Sequence, residues 1–102
     1  MELNGEFDKE VIQASKEKLV IADFYAEWCG PCKALGPVLE KLEKEMGFKL
    51  VKINTEKNQD VAQDFGVMSI PTVVFFKDGN AVEKFVGAYP ESAIIDLVKK
   101  HM

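Results

Sequence analysis

Apolar residues follow two different spacings along the chain, which predict alternating strands and helices. Residues 19–25 are apolar on both faces apart from Asp23, which is typical of a central strand covered by helices on both sides. Between residues 31 and 46 the apolar positions recur at helical spacing, with charged side chains opposite them. We expect Pro37 to kink that helix rather than to end it. Residues 49–54 predict a second strand.

Two short helices are predicted outside these segments. Phe7 and Ile12 flank Asp8 as a hydrophobic staple around an N-cap, so a helix is expected to run to about residue 15. Asn58 is expected to cap a second short helix, which Gly66 ends.

The last third of the chain predicts a hairpin and a closing helix. Two β-rich runs, residues 72–77 and 80–86, are joined by Asp78-Gly79, which is a strong hairpin signal. Pro90 suits the start of a final helix. This order predicts an α/β sandwich whose sheet has a parallel section and an antiparallel edge. Because no linker, repeat or low-complexity tract interrupts the pattern, we expect residues 1–102 to form a single domain.

Composition and charge exclude several classes of protein. Of the 102 residues 47% are apolar, which excludes a disordered tail and a collagen-like repeat, and two cysteines are too few for a disulfide-rich miniprotein. The net charge of −4 argues against nucleic-acid binding, which requires a positive surface. The unbroken apolar runs are far too short to cross a membrane. The sequence lacks the basic segment and the following apolar segment that are typical of a signal peptide, so we expect a cytoplasmic protein.

The two cysteines lie at the junction between the central strand and the long helix. Cys29 and Cys32 flank Gly30-Pro31, and Pro31 suits the first turn of a helix. The unpaired amides and the positive end of the helix dipole stabilise an anion at Cys29, and Lys33 adds positive charge nearby. A thiolate is such an anion and is the nucleophile of disulfide exchange. Cys32, one turn further on, is close enough to form a disulfide with Cys29.

Three other interpretations compete with a redox function. A structural disulfide closing so short a loop stabilises a fold by only about 2 kcal/mol, against about 4.7 kcal/mol for a 100-residue loop. A metal site would have only these two thiolates and His101 near the end of the chain, so we expect no metal. Two incidental buried thiols do not explain Gly30-Pro31 at a helix start. A reversible dithiol is therefore favoured.

The reaction of such a dithiol can be written from the residues. Cys29 attacks the target disulfide, and Cys32 then attacks Cys29 to release the target. The second step needs a base near the buried Cys32. Asp23 is the only carboxyl group in residues 19–25, and burial raises the pKa of a carboxyl group, so Asp23 is the candidate. The alternative is an exposed aspartate with no role.

The chain resembles the thioredoxin family. Its matching segments are Trp28-Cys29-Gly30-Pro31-Cys32-Lys33, Asp23-Phe24, Pro37, Lys52, Ile70-Pro71-Thr72 and Gly87. Any one of them is a weak signal, but together, in their order along the chain, they are highly specific. The resemblance implies a three-layer α/β/α sandwich with a central mixed β-sheet. It also implies a monomeric protein-disulfide reductase with no cofactor of its own. Its partners would be disulfide-containing proteins and a thioredoxin reductase, supplied with electrons by NADPH or another donor.

The resemblance also assigns roles to individual residues. Lys52 would be the partner of Asp23, and Pro71 would form a cis peptide bond beside the cysteines. Trp28, Ile70, Gly87 and Ala88 would form an apolar patch for target proteins. Gly30 and Pro31, which set the redox potential together with Lys33, resemble those of reducing members. A disulfide oxidase or isomerase, or a non-catalytic binding subunit on the same fold, remain as alternatives.

The sequence departs from the usual family pattern at three places. Tyr25 stands where a second tryptophan is common, which we expect to matter little to the chemistry. Thr55-Glu56 replaces an apolar residue and an aspartate, so the patch is expected to be less apolar on that side. Met68-Ser69 precedes Ile70 and is a candidate determinant of which proteins dock.

Overall fold

A four-stranded mixed sheet forms the centre of the computed structural model, which describes residues 1–102. Its strands are β1 (Val20–Tyr25), β2 (Lys49–Asn54), β3 (Thr72–Lys77) and β4 (Asn80–Val86). Their order across the sheet is β2-β1-β3-β4. β1 runs parallel to β2 and antiparallel to β3, and β3 pairs antiparallel with β4. The predicted parallel section and antiparallel edge are confirmed.

Helices cover both faces of this sheet. They are α1 (Gly30–Met46), α2 (Gln59–Asp64) and α3 (Glu91–His101). Near the start of the chain a π-helical segment, Asp8–Gln13, continues into a 3-10 turn, Ala14–Lys16. α1 continues through Pro37, and Pro90 occupies the position before the first residue of α3, as the sequence predicts.

The alternation of side chains along the strands produces two cores. On one face, α1 and α3 pack against a cluster that includes Ile21, Leu50 and Phe75. On the other face, the N-terminal helical segment and α2 pack against a cluster that includes Phe24 and Phe76. Because successive strand residues point to opposite faces, Asp23 shares the face of Ile21. The result is the predicted three-layer α/β/α sandwich.

The turn between β3 and β4 shows why its sequence predicts a hairpin. Asp78 and Gly79 have φ angles of 54° and 85°. Positive φ at both central residues is the requirement of a type I′ turn, whose twist matches that of the flanking strands. Aspartate tolerates this region better than most residues, and glycine enters it without steric cost.

Residues 1–3 form a short addition to the sheet that the sequence does not predict. The amide of Lys52 donates to the carbonyl of Met1 at 2.7 Å, and the amide of Leu3 donates to the carbonyl of Lys52 at 2.8 Å. The terminal ammonium of Met1 also donates to the carbonyl of Leu50 at 2.8 Å. These bonds cover the outer edge of β2 and place Glu2 in register with Lys52.

One predicted N-cap is wrong, and a second is right in its position but not in its side-chain hydrogen bond. Phe7, not Asp8, precedes the first helical segment; the Asp8 carboxylate instead accepts from Gln13 Nε2, five residues on, which is the spacing of a π-helical turn. Asn58 does precede α2, but its side chain donates to the carbonyl of Asn54 and caps nothing. Both side chains find other partners, so a favourable residue type is not sufficient to form a cap.

No helix of this structure is long and apolar enough to cross a membrane.

Candidate active site

The two cysteines are joined in a disulfide at the N-terminus of α1. Cys29 is the N-cap of the helix, with an extended backbone (φ −85°, ψ 112°), and Pro31 lies in the first turn. The Cα atoms of Cys29 and Cys32 are 5.3 Å apart, within the ordinary range for a disulfide. The strand-to-helix junction predicted from the sequence therefore positions the pair.

The helix terminus provides an anion-stabilising environment at one sulfur. The Sγ atom of Cys29 accepts the amide N–H of Cys32 at 3.2 Å. The helix dipole adds partial positive charge at the same place, and both effects favour a thiolate once the disulfide is reduced. Lys33 is exposed at the surface. Both cysteines are largely buried, against Ala26, Tyr25 and Ile70.

Asp23 is a buried carboxyl group without a hydrogen-bond partner. Its residue is 0% exposed, and neither carboxylate oxygen has a donor within hydrogen-bonding distance. Burial raises the pKa of Asp23 to about 6; the charge of Lys52 opposes this shift, while the charges of Glu2 and Glu40 add to it. The group therefore changes charge close to neutral pH. The predicted burial of Asp23 is confirmed.

Lys52 lies beside Asp23 without pairing with it. The two residues are in register on adjacent parallel strands, and side chains in such register lie on the same face. The Lys52 ammonium lies instead over the ring of Tyr25, 5.0 Å from its centroid. Lys52 is thus near Asp23, as the resemblance implies. The two interact through their charges and form no ion pair.

The loop before β3 packs against the two cysteines through Ile70. The Ile70-Pro71 peptide bond is cis, as the resemblance implies, and Pro71 is buried. The amide of Gly87 donates to the carbonyl of Pro71 at 2.8 Å, so the end of β4 holds this loop in place. Ile70 is half-buried against the cysteines, while Ala88 is exposed.

Trp28 presents most of its side chain to solvent beside the disulfide. It is 69% exposed, and its indole N–H donates to Glu56 Oε2 at 3.2 Å. Met68, in the loop before Pro71, is 96% exposed. From the sequence alone, Glu56 is only a polar departure from the usual family pattern. Its contact with Trp28 depends on the turn after β2, which spacing in the sequence does not reveal.

A cleft of about 300 Å³ leads from the surface to the buried side of the pair. Its lining residues are Tyr25, Ala26, Glu27, Cys32, Lys33 and Lys52. The cleft gives solvent a path to the side of Cys32. A larger, polar depression lies beyond Tyr25 and does not reach the cysteines.

The site combines two cysteines with a buried carboxyl group. No three histidine, cysteine, aspartate or glutamate side chains are grouped so that they could hold a metal ion. His101, the one imidazole in the chain, packs against Phe75 and Glu83 at the end of α3.

The fold and the site together define a class: thiol–disulfide oxidoreductases in which a disulfide lies at a helix N-terminus beside a mixed sheet. A sequence model of the thioredoxin family matches residues 2–100, and the chain belongs to this family. With its cysteine pair in place, it is a protein-disulfide reductase.

Individual relatives agree with this assignment along nearly the full length of the chain. The thioredoxin of Bacillus subtilis (strain 168) is 50% identical over 97 residues, which cover 93% of each chain. Thioredoxin 1 of Synechococcus elongatus is 41% identical over 98 residues, covering 94% of this chain and 90% of that one. Among solved structures, a mutant thioredoxin from Halobacterium salinarum superposes with a TM-score of 0.89. Its sequence is 38% identical, and the superposition covers 99% of this chain and 88% of that one.

Proposed function

We propose that this reductase uses Cys29 as its nucleophile, Cys32 as its resolving thiol and Asp23 as the base for Cys32. The observation that carries the proposal is the hydrogen bond from the Cys32 amide to Cys29 Sγ at the start of α1. The helix terminus favours a negative charge on one of the two sulfurs, and that sulfur belongs to Cys29.

The first step forms a mixed disulfide. The Cys29 thiolate attacks one sulfur of a target disulfide, a new S–S bond forms, and the other target sulfur leaves as a thiolate. No electrons are gained or lost overall at this point, because one S–S bond replaces another. Water supplies the proton that the leaving thiolate takes up.

The second step releases the target. Asp23 accepts the proton of the Cys32 thiol, and the Cys32 thiolate attacks Cys29 Sγ. The second target sulfur leaves as a thiolate, and the Cys29–Cys32 disulfide forms. Two electrons have passed from the dithiol to the target. Because Asp23 has a pKa of about 6 and no hydrogen-bond partner, its carboxylate is ionised and free to accept a proton at neutral pH.

The surface around Cys29 is proposed to bind the target. Trp28, Ile70, Pro71, Gly87 and Ala88 would contact its chain. Exposed aromatic surface is enriched where proteins associate, which supports Trp28 in this role. Gly30 and Pro31, between the cysteines, are proposed to set the redox potential together with Lys33. Lys52 is proposed to stabilise the ionised form of Asp23 through its positive charge.

The remaining proposals concern the cellular context. Membership of the family implies two kinds of partner. One is a reductase that reduces the Cys29–Cys32 disulfide, and the other is the set of disulfide-bonded target proteins. We propose that the reductase is a thioredoxin reductase using NADPH or another donor. We further propose that residues 1–102 act as a single, monomeric domain in the cytoplasm.

Trapping of mixed disulfides tests the assignment of the two cysteines. Cys32→Ser is expected to accumulate a covalent adduct with a disulfide-bonded target, because nothing resolves it. Cys29→Ser is expected to accumulate none. Adducts are counted by non-reducing electrophoresis, with the Cys29→Ser/Cys32→Ser double variant as the control. Equal trapping by both single variants would overturn the assignment.

A further inference from the structure

The Lys52 ammonium lies close to Asp23 but makes no bond with it. The two residues are register partners, yet neither oxygen of Asp23 has a hydrogen-bond partner. An ammonium beside an unpaired buried carboxylate normally moves into contact, because the attraction is strong where water is excluded. A structural reason for the separation is therefore needed.

The ring of Tyr25 provides another position for the ammonium. Lys52 Nζ lies 5.0 Å from the ring centroid, within the range of a cation–π interaction. Helix α1 is also close to the ammonium, since a Cβ atom added at Gly36 would lie 3.5 Å from Lys52 Nζ. The ammonium is thus in contact range of both the Tyr25 ring and the first half of α1.

The ring itself is fixed from the start of the chain. The Tyr25 hydroxyl donates to Glu2 Oε2. The segment that carries Glu2 is held to β2, because the carbonyl of Met1 accepts from the amide of Lys52 and the amide of Leu3 donates to the carbonyl of Lys52. Burial, followed by this hydrogen bond and the charge of Glu2, raises the pKa of Tyr25, so its hydroxyl keeps its proton at neutral pH. The hydroxyl is therefore able to donate to Glu2 at neutral pH.

We propose that Tyr25 is a positioning residue of the reductase: its ring, anchored by Glu2, holds the Lys52 ammonium away from Asp23, so the carboxylate stays free to take the Cys32 proton. This rests on the proposed role of Asp23 as the base. It also revises the sequence-based expectation that a tyrosine at this position matters little.

The charged groups that face Asp23 come from three elements. They are Lys52 on β2, Glu2 in the N-terminal segment and Glu40 on α1. β3 contributes the apolar Val73 in register. In the disulfide form the two cysteines carry no protons, so the titration of Asp23 is not coupled to a thiol.

The test is the titration of the Asp23 carboxyl carbon by 13C NMR in the oxidised protein. Tyr25→Leu removes the ring and lets Lys52 approach, so the Asp23 pKa is expected to fall by about one unit. Tyr25→Phe keeps the ring and is expected to shift the pKa less than half as far. In a Lys52→Met background, Tyr25→Leu is expected to produce no fall.

Three results would overturn the proposal. They are no fall in Tyr25→Leu, an equal fall in Tyr25→Phe, or the same fall in the Lys52→Met background. Should Tyr25→Leu not fold, Tyr25→Met removes the ring while keeping more of its length. The pH profile of mixed-disulfide resolution separates this proposal from the role of Asp23. If the Asp23 pKa falls and the profile does not follow, Tyr25 positions Lys52 but Asp23 is not the base.

Discussion

Asp23 and Glu83 are carboxyl groups on strands of one sheet, and their surroundings are opposite. Asp23, on β1, is buried and without a hydrogen bond, and burial raises its pKa to about 6. Glu83, on β4, lies 3.1 Å from His101 Nε2 and 3.5 Å from Lys100 Nζ. These partners, the hydrogen bond to His101 foremost, lower its pKa.

The difference shows that one carboxylate stabilises the fold while the other destabilises it. At the end of α3 a carboxylate is paired with side chains that hold the helix against β4. Beside the disulfide a carboxylate is left unpaired, although burying it in ionised form is unfavourable. An unpaired group is the one able to accept a proton, so we interpret the unfavourable environment of Asp23 as a requirement of the reaction.

The largest difference between the two regions is expected in turnover. Cys29→Ser removes the attacking sulfur, so insulin-disulfide reduction should fall to the rate of dithiothreitol alone. Glu83→Gln, in the other region, should leave that rate unchanged. Turbidity of the precipitating insulin chains is the measurement. Acceleration by Cys29→Ser above dithiothreitol alone would contradict the proposed chemistry.

The next effect concerns the release of the target. Asp23→Asn removes the base, and resolution of a preformed mixed disulfide at pH 7 should slow by about 10²-fold. In the unaltered protein the rate should rise with pH through about 6, as Asp23 loses its proton. Stopped-flow tryptophan fluorescence follows the step. An unaltered rate in Asp23→Asn would remove the base from the mechanism.

Asp23→Asn, which should slow the reaction, should make the folded protein more stable. The folded pKa of Asp23 lies above its unfolded value of 3.8, so the favourable term is complete below pH 3.8 and is lost as pH rises through about 6. Above pH 6, Asp23→Asn should therefore raise the free energy of unfolding by up to about 3 kcal/mol. Urea unfolding measures the difference.

Two conditions sharpen this stability prediction. Near pH 3.5 the gain in Asp23→Asn should be almost absent, because the folded state holds the proton and the unfolded state holds most of it. Glu83→Gln should show no comparable gain at any pH, since its carboxylate is paired. A gain in Asp23→Asn that does not depend on pH would mean that the ionised carboxylate is not its cause.

The smallest effect is expected where the carboxylate is paired. His101→Ala removes one partner of Glu83 and should lower the free energy of unfolding at pH 6 by less than about 1 kcal/mol, because the group is near the surface. The Glu83 pKa is lowered, so its contribution is present above the ordinary value of 4.5 and is lost as pH falls. Thermal unfolding at low and high salt checks this, and a loss of several kcal/mol would contradict it.

Long patterns in the sequence were sufficient to predict the sheet and its helices. The two hairpin strands end where the β-rich runs end, at Lys77 and Val86, because Asp78-Gly79 favours one turn type. The burial of Asp23 follows from the apolar residues on both sides of it. The cis bond before Pro71 came from family resemblance, since nothing in the local sequence specifies it.

Features that depend on contacts between distant segments were not predictable from the sequence. Residues 1–3 are too few to carry a strand pattern, so their pairing with β2 and the contact of Glu2 with Tyr25 were missed. The position of Lys52 depends on the Tyr25 ring and the close helix backbone at Gly36. Local caps failed at Asp8 for a similar reason, because its side chain finds another partner.

The central claim is that Cys29 and Cys32 form a reducing couple. Its most direct test is the midpoint potential of the pair, measured by equilibration with glutathione buffers and quantified by alkylation. We expect a midpoint potential of about −270 mV, which is the potential of thioredoxin. A value near about −120 mV, that of a strong disulfide oxidant, would contradict the account and assign the fold to oxidation.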